Sequence, residues 1–274
     1  MNATTDATNK LAGKTALVTG STQGIGLAIA RSLASANMRI AVHGLATREA
    51  GDAVAAGLKR DGAADARFFE ADLLDPDQIA AMMRAVDAWG PLDVLVNNAG
   101  IQKTASLSEL DRTTWDRIIG VNLSAAFHTM RLALPGMAER GYGRVINTAS
   151  VHGLVSSVRK APYCAAKHGL VGLSKVAALE YAKAGNRASG GVTVNCICPG
   201  WTETELILPQ IAERATALGV DRDAAIASLL SEKQPSQRLS DPGEIGNLAL
   251  WLCSPLAHNV TGAAIPIDGG WTAQ

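Results

Sequence analysis

Lys14-Thr-Ala-Leu-Val-Thr19 runs directly into Gly20-Ser-Thr-Gln-Gly24-Ile-Gly26, and an apolar-periodic stretch from Leu27 to Ala36 follows. The first run reads as a buried strand and the last as a helix. A glycine turn between them lets backbone N–H groups and a helix N-terminus approach a pyrophosphate that any side chain would hold off. The macrodipole favours negative charge at the same point. The loop, with Gly20, Thr22, Gln23, Gly24, Ile25 and Gly26, therefore reads as a dinucleotide site. Three glycines near a helix start also occur in plain strand-to-helix turns. Their position after the first strand of an alternating chain favours the dinucleotide reading.

Working outward, Arg39-Ile-Ala-Val-His43, Phe68-Phe69, Asp93-Val-Leu-Val96, Arg144-Val-Ile-Asn147, Val192-Thr-Val-Asn195 and Ala263-Ala-Ile-Pro-Ile267 are strand candidates separated by helical stretches. That order implies an α/β fold, a doubly wound parallel sheet with helices on both faces. Pro266 cannot donate to a ladder, so its strand belongs at a sheet edge or turns its nitrogen away from a neighbour. Asn37 stands where a helix-ending glycine is common and tolerates the left-handed conformation. No repeat or linker divides the chain, so residues 11–274 read as one domain and residues 1–10 as a loose tail. The stretch Ala184-Gly-Asn-Arg-Ala-Ser-Gly-Gly191 reads as a surface insertion.

Lys plus Arg and Asp plus Glu each number 25 in a chain of 274 residues that is 47% hydrophobic. That supports a large core and argues against nucleic acid, whose phosphates call for a basic excess or stripe. No apolar run is long enough to span a bilayer, and the polar start is no secretory signal, so no membrane partner and a cytoplasmic location are expected. Cys164, Cys196, Cys198 and Cys253 lack metal-ligand spacing and read as small reduced core residues, with no metal expected.

Tyr163-Cys-Ala-Ala-Lys167 puts a phenol and an ammonium four residues apart on one helical face, thirteen positions after Ser150. A nearby cation favours a phenolate and can turn tyrosine, with a free pKa of about 10, into a base nearer neutrality. Tyr and Lys at this spacing are common on ordinary helices, so the pair gains meaning only from its neighbours. One marker is missing: after the second strand stand Gly44-Leu45, not the acidic residue that usually holds the ribose 2′-OH of NAD. Ser21, Thr22 and Gln23 offer no cation for the extra phosphate of NADP, and Arg48 sits at the next helix start. NAD is the expected cofactor.

Thr19-Gly20-Ser-Thr-Gln-Gly24-Ile-Gly26, Asn97-Asn98-Ala99-Gly100, Asn122, Ser150, Tyr163-Cys-Ala-Ala-Lys167 and Cys198-Pro199-Gly200, in that order through to Asp268-Gly269-Gly270, together resemble the short-chain dehydrogenase/reductase family. The resemblance implies a single-domain Rossmann-type fold. It makes Tyr163 the general base, Ser150 a hydrogen-bond partner of the substrate oxygen and Lys167 the residue that binds the nicotinamide ribose and depresses the Tyr163 pKa. Asn122 would hold a water that links Lys167 to solvent. Cofactor contacts would extend to Leu45, Asp72, Leu73, Asn98, Ala99, Gly100, Pro199, Gly200, Trp201 and Thr202. The family pattern also implies a homotetramer.

Gly100-Ile-Gln102, Asn122-Leu-Ser-Ala-Ala-Phe-His128, Val151-His152-Gly-Leu154, Leu230-Ser-Glu-Lys-Gln-Pro-Ser236 and Gly270-Trp271-Thr272 resemble more closely the bacterial D-3-hydroxybutyrate dehydrogenase branch. That likeness implies NAD-dependent, reversible oxidation of (R)-3-hydroxybutyrate. Gln102, His152, Lys160 and Gln210 would bind the substrate carboxylate, with Trp201 and Trp271 as apolar walls. A carboxylate drawn out of water needs such charge-assisted hydrogen bonds. Arg159 adds a second cation that either widens the choice of acid or faces solvent. Helical stretches around Glu203 to Ala217 and Asp221 to Glu232 suggest a lid over about 201–240 that delivers Gln210 and excludes water. The alternatives are an NADPH-dependent reductase of 3-oxoacyl thioesters, which leaves the carboxylate set unexplained, and a non-catalytic nicotinamide sensor, which has no need of Ser150, Tyr163 and Lys167.

Overall fold

The computed structural model describes residues 10–273, so the expected tail lies, but for Lys10, outside the described residues. Seven parallel strands form one sheet: β1 (Thr15–Val18), β2 (Arg39–Val42), β3 (Asp65–Phe68), β4 (Leu92–Asn97), β5 (Tyr142–Thr148), β6 (Gly191–Pro199) and β7 (Ala264–Ile267), in spatial order β3-β2-β1-β4-β5-β6-β7. Every expected strand is present, several longer than its apolar kernel. β7 is an edge strand on which Pro266 stands opposite Cys198, so the missing N–H costs no ladder bond on its free side.

The helices are α1 (Gly24–Ser35), α2 (Arg48–Arg60), α3 (Pro76–Trp89), α4 (Arg112–Ile119), α5 (Ala125–Glu139), α6 (Ala161–Tyr181), α7 (Leu208–Leu218), α8 (Arg222–Lys233) and α9 (Pro242–Cys253). Alternation along β1 sends Ala16 and Val18 to one face and Leu17 to the other. The first face packs on Ile29 and Leu33 of α1, Leu58 of α2 and Ile245 and Leu252 of α9. The second packs on Ile79 and Val86 of α3, Met130 and Met137 of α5 and Ala177 of α6. Both faces are covered, as continuous apolar strands require. Asn37 ends α1 with φ 57°, as its place after that helix suggested. In the exposed insertion, the carbonyls of Gly190 and Gly191 are held by the buried Arg144 guanidinium at 3.1 and 2.9 Å.

The strand order reverses between β1 and β4, and their carboxyl ends diverge there to open a crevice. Gly20 (φ 65°) and Gly24 (φ 54°) take the left-handed backbone that the turn into α1 requires. At Gly26 the reason is space, since a Cβ would stand 2.2 Å from the Gly20 carbonyl oxygen. No helix among the described residues is long and apolar enough to cross a membrane. Gly26→Ala should destabilise the fold by ~1–3 kcal/mol, the usual effect of overpacking against fixed backbone. Thermal unfolding would register this as a Tm lower by roughly 2–4 °C per kcal/mol, and an unchanged Tm would mean that the loop has slack.

Candidate active site

The crevice is a cleft of about 900 Å³ lined by the glycine loop, the segment after β4, the Ser150 turn, the first turns of α6, and the chain after β6. Its floor begins at Thr19, whose Oγ1 accepts the N–H groups of Asn98 (3.0 Å) and Ala99 (3.1 Å). Asn98 returns its side-chain amide to the Thr19 and Gly20 carbonyls at 3.0 and 3.2 Å. Gly20, Thr22, Gln23, Gly24, Ile25, Leu45, Asp72, Leu73, Asn98, Ala99, Gly100, Pro199, Gly200, Trp201 and Thr202 all line the cleft. Gly26 lies beneath it as a packing residue. Leu45 is 88% exposed, and Arg48 is ion-paired with Glu70. With no side chain at Gly20 or Gly24 and both residues lining the cleft, the loop leaves room for an extended dinucleotide.

One residue that the motifs do not announce braces this loop. His43, at the tip of β2, is buried; its Nδ1 accepts the Gly20 N–H (3.3 Å), and its Nε2 donates to the Ala71 carbonyl (3.1 Å). Burial lowers its pKa, which keeps the imidazole in the neutral form that can accept and donate at once. A polar residue ending the apolar run Arg39-Ile-Ala-Val was the available signal.

Ser150, Tyr163 and Lys167 converge from two elements, the turn after β5 and α6. Ser150 follows β5 and caps a 3-10 turn, Val151–Gly153, its Oγ accepting the His152 N–H at 3.1 Å and keeping its own hydrogen free to donate. Tyr163 and Lys167 lie one turn apart on α6, with Lys167 Nζ 5.6 Å from the Tyr163 ring centre and 2.7 Å from the Thr148 carbonyl it donates to. One expectation changes here. Burial pushes the Tyr163 phenol up to about 12, against the pull of the Ser150 hydroxyl, and drives Lys167 down to about 8. Protein groups alone thus do not give the depressed phenol that was expected; desolvation outweighs the Ser150 hydrogen bond. Asn122 sits in a single π-helical turn, Gly120–Ser124, between α4 and α5, and both ends of its amide are taken by the Ile101 backbone at 2.8 and 2.9 Å. It clamps the segment after β4 against the cleft; such wide turns recur at functional sites.

The carboxylate set gathers on the far side of Tyr163. Lys160 Nζ donates to Gln210 Oε1 at 2.9 Å and lies 5.2 Å from the Trp201 ring centre. Gln210 comes from α7, which starts at Leu208, later than the expected Glu203, because Pro209 fits the first turn and a short 3-10 turn, Glu205–Ile207, precedes it. His152 packs edge-on to Tyr163 and Trp271, with ring centres at 6.0 and 5.5 Å, and Trp271 tilts against Trp201 at 6.1 Å. Burial and then the Lys160 charge lower the His152 pKa to about 4, so it acts as a neutral donor or acceptor. Its Nδ1 and the Trp201 Nε1 are buried without a partner. Gln102 reaches the Leu206 carbonyl at 3.4 Å, which ties it to the same wall. Arg159 turns outward to Glu213 at 3.3 Å and leaves Lys160 as the inward cation. The four cysteines are buried and free, and no three metal-ligating side chains gather among the described residues.

Lys167 is charged at neutral pH at the expense of stability. Between its folded pKa of about 8 and its ordinary value the unfolded chain holds more protons, so its penalty shrinks as pH rises through that window. Lys167→Met should therefore abolish turnover yet unfold at an equal or higher temperature at pH 7. Its margin over the wild type should narrow as pH rises above 8, and a lower Tm at pH 7 would contradict this.

The chain matches the short chain dehydrogenase family over residues 14–214. It is 47% identical over 265 residues to the D-beta-hydroxybutyrate dehydrogenase of Cupriavidus necator, covering 96% of this chain and 100% of that one. The enzyme of that name from Rhizobium meliloti is 43% identical over 262 residues, 95% of this chain and 99% of the other. Among solved structures, an actinorhodin polyketide ketoreductase variant with NADPH superposes with a TM-score of 0.87 at 34% identity, covering 96% of this chain and 98% of that one. The seven-stranded parallel sheet with a crevice at its switch point agrees with those matches: the chain belongs to the short-chain dehydrogenase family of nicotinamide-dependent oxidoreductases.

Proposed function

We propose that the protein oxidises (R)-3-hydroxybutyrate reversibly to acetoacetate with NAD. The observation that carries this reading is the Lys160–Gln210 pair on the wall beside Tyr163. An ammonium only donates, so the amide oxygen of Gln210 faces it and the NH₂ group points away, free to meet a carboxylate together with the remaining Nζ hydrogens. The relatives' name supports the same acid. NAD is favoured over NADP because no cation stands at Ser21, Thr22 or Gln23 and Arg48 is engaged by Glu70.

In this reading Lys160, Gln210, His152 and Gln102 fix the carboxylate, while Trp201 and Trp271 enclose the short acyl chain and exclude water. Ser150 donates to the C3 oxygen and Tyr163 takes its proton. Lys167 holds the nicotinamide ribose, and the bound nicotinamide supplies the hydride acceptor together with a positive charge. Tyr163, held at about 12 by burial, would need such a charge beside it to act as a base near neutral pH. The helices α7 and α8 act as the lid that brings Gln210 to Lys160. We assign the protein to the cytoplasm, without nucleic-acid or membrane partners. We assign it to a homotetramer because Phe127, Leu179 and Trp251 leave α5, α6 and α9 with exposed apolar side chains (44%, 79% and 40%).

NADH appearance with purified protein should be confined to the R enantiomer with NAD, and Tyr163→Phe should abolish it while cofactor still binds. Retained turnover would remove Tyr163 from the mechanism. Lys160→Ala should raise the KM for hydroxybutyrate by roughly 30-fold or more, with little change in that for NAD, as loss of a charge partner in a desolvated site implies. Gln210→Glu should weaken substrate binding more than Gln210→Ala, because a carboxylate there occupies Lys160 and repels the acid. Equal effects would mean that the two side chains do not act as one site.

A further inference from the structure

Gln234, the residue that ends α8, has been given no role above and is 1% exposed. Its Oε1 accepts the backbone N–H of Trp201 at 3.0 Å, and its Nε2 donates to the Arg238 carbonyl where the chain leaves the lid. The side chain is gripped between two glycines. A Cβ at Gly200 would stand 2.8 Å from Oε1, and one at Gly269 would stand 2.7 Å from the Gln234 Cγ. Gly269 opens the turn that carries Trp271, and its carbonyl is bound by Ser236 N–H, two residues beyond Gln234, at 2.9 Å. The same turn is shaped by the buried Asp268 carboxylate, which accepts the Gly270 and Thr272 N–H groups at 3.0 and 2.8 Å. At the lid base Ser240 N–H returns to the Trp201 carbonyl at 2.9 Å.

One side chain therefore reaches the turn bearing Trp201 and the lid exit through its amide and crowds the turn bearing Trp271 with its Cγ. The task needs an acceptor and a donor at the tip of one uncharged side chain, which a carboxylate, an ammonium or an apolar group does not offer. We propose that Gln234 is a positioning residue that sets the separation of the Trp201 and Trp271 indoles and thereby the acyl length the site accepts. The acyl-length part rests on the substrate reading above; the indole geometry does not.

Two readouts test it in Gln234→Met, which keeps length and bulk but removes both hydrogen bonds. The first is the exciton circular dichroism of the coupled indoles, recorded without substrate, with Trp271→Phe as the reference for its loss. The second is the ratio of kcat/KM for (R)-3-hydroxybutyrate to that for (R)-3-hydroxyhexanoate. Gln234→Met should lose the couplet and lower the ratio by about tenfold, the scale on which apolar walls discriminate methylenes, with the KM for NAD within about twofold of wild type. An intact couplet with an unchanged ratio would overturn the proposal, as would a uniform fall in every kinetic constant. Should Gln234→Met not fold, Gln234→Glu, which removes only the donor, is held to the same readouts with smaller shifts, and failure of both to fold would make Gln234 a general structural residue. If the wild-type protein turned over neither acid, the substrate reading would fall while the couplet still judged the indole geometry.

Discussion

The cleft depends on the hydroxyl of Thr19, which accepts two consecutive N–H groups, Asn98 and Ala99, just where β1 and β4 separate. Those N–H groups would otherwise be unpaired donors in a part-buried crevice, a situation that costs about 1–3 kcal/mol each. The hydroxyl lets the strands diverge without that loss. Asn98 then fastens the glycine loop from the other side, and His43 braces it from the tip of β2. The approach of backbone to a nucleotide is thus held by three side chains from three successive parts of the sheet.

The chemistry sits in an environment that opposes it. Desolvation raises the Tyr163 phenol and lowers the Lys167 ammonium, so the charged form of each is less favoured than in water. Under the proposed function, such a site couples proton removal to the arrival of the cofactor's positive charge. The rigid surroundings that permit this include the Asn122 clamp on Ile101 and the Lys167 bond to the Thr148 carbonyl.

Much of this was legible because local spacing carried it. The glycine loop after a strand and the proline of the last strand could be read from local spacing, and the Tyr–Lys pair gained its meaning from the motifs around it. What was not legible depends on contacts between distant segments or on burial. Gln234 meets Trp201, 33 positions away, and nothing around Lys233-Gln-Pro marks it as buried. The π turn at Asn122 replaces the expected helical repeat by one extra residue that no propensity signals. The sense of the Tyr163 shift required knowing how thoroughly the phenol is enclosed, which spacing to a lysine does not reveal. The start of α7 moved to Leu208 because the first turn accepts Pro209 where apolar periodicity alone had suggested Glu203.

Lys160, Tyr163 and Lys167 stand at the head and along the first turns of a single helix, α6. With a rise of about 1.5 Å per residue, the helix separates them along its axis by about 4.5 Å and then about 6 Å. Under the proposed function the backbone serves as a ruler on which anion, reacting carbon and cofactor sugar are marked at fixed intervals. A ruler of this kind cannot be stretched by side-chain substitution, so a descendant of this protein that handled longer acids would have to rebuild its walls and leave the graduations where they are.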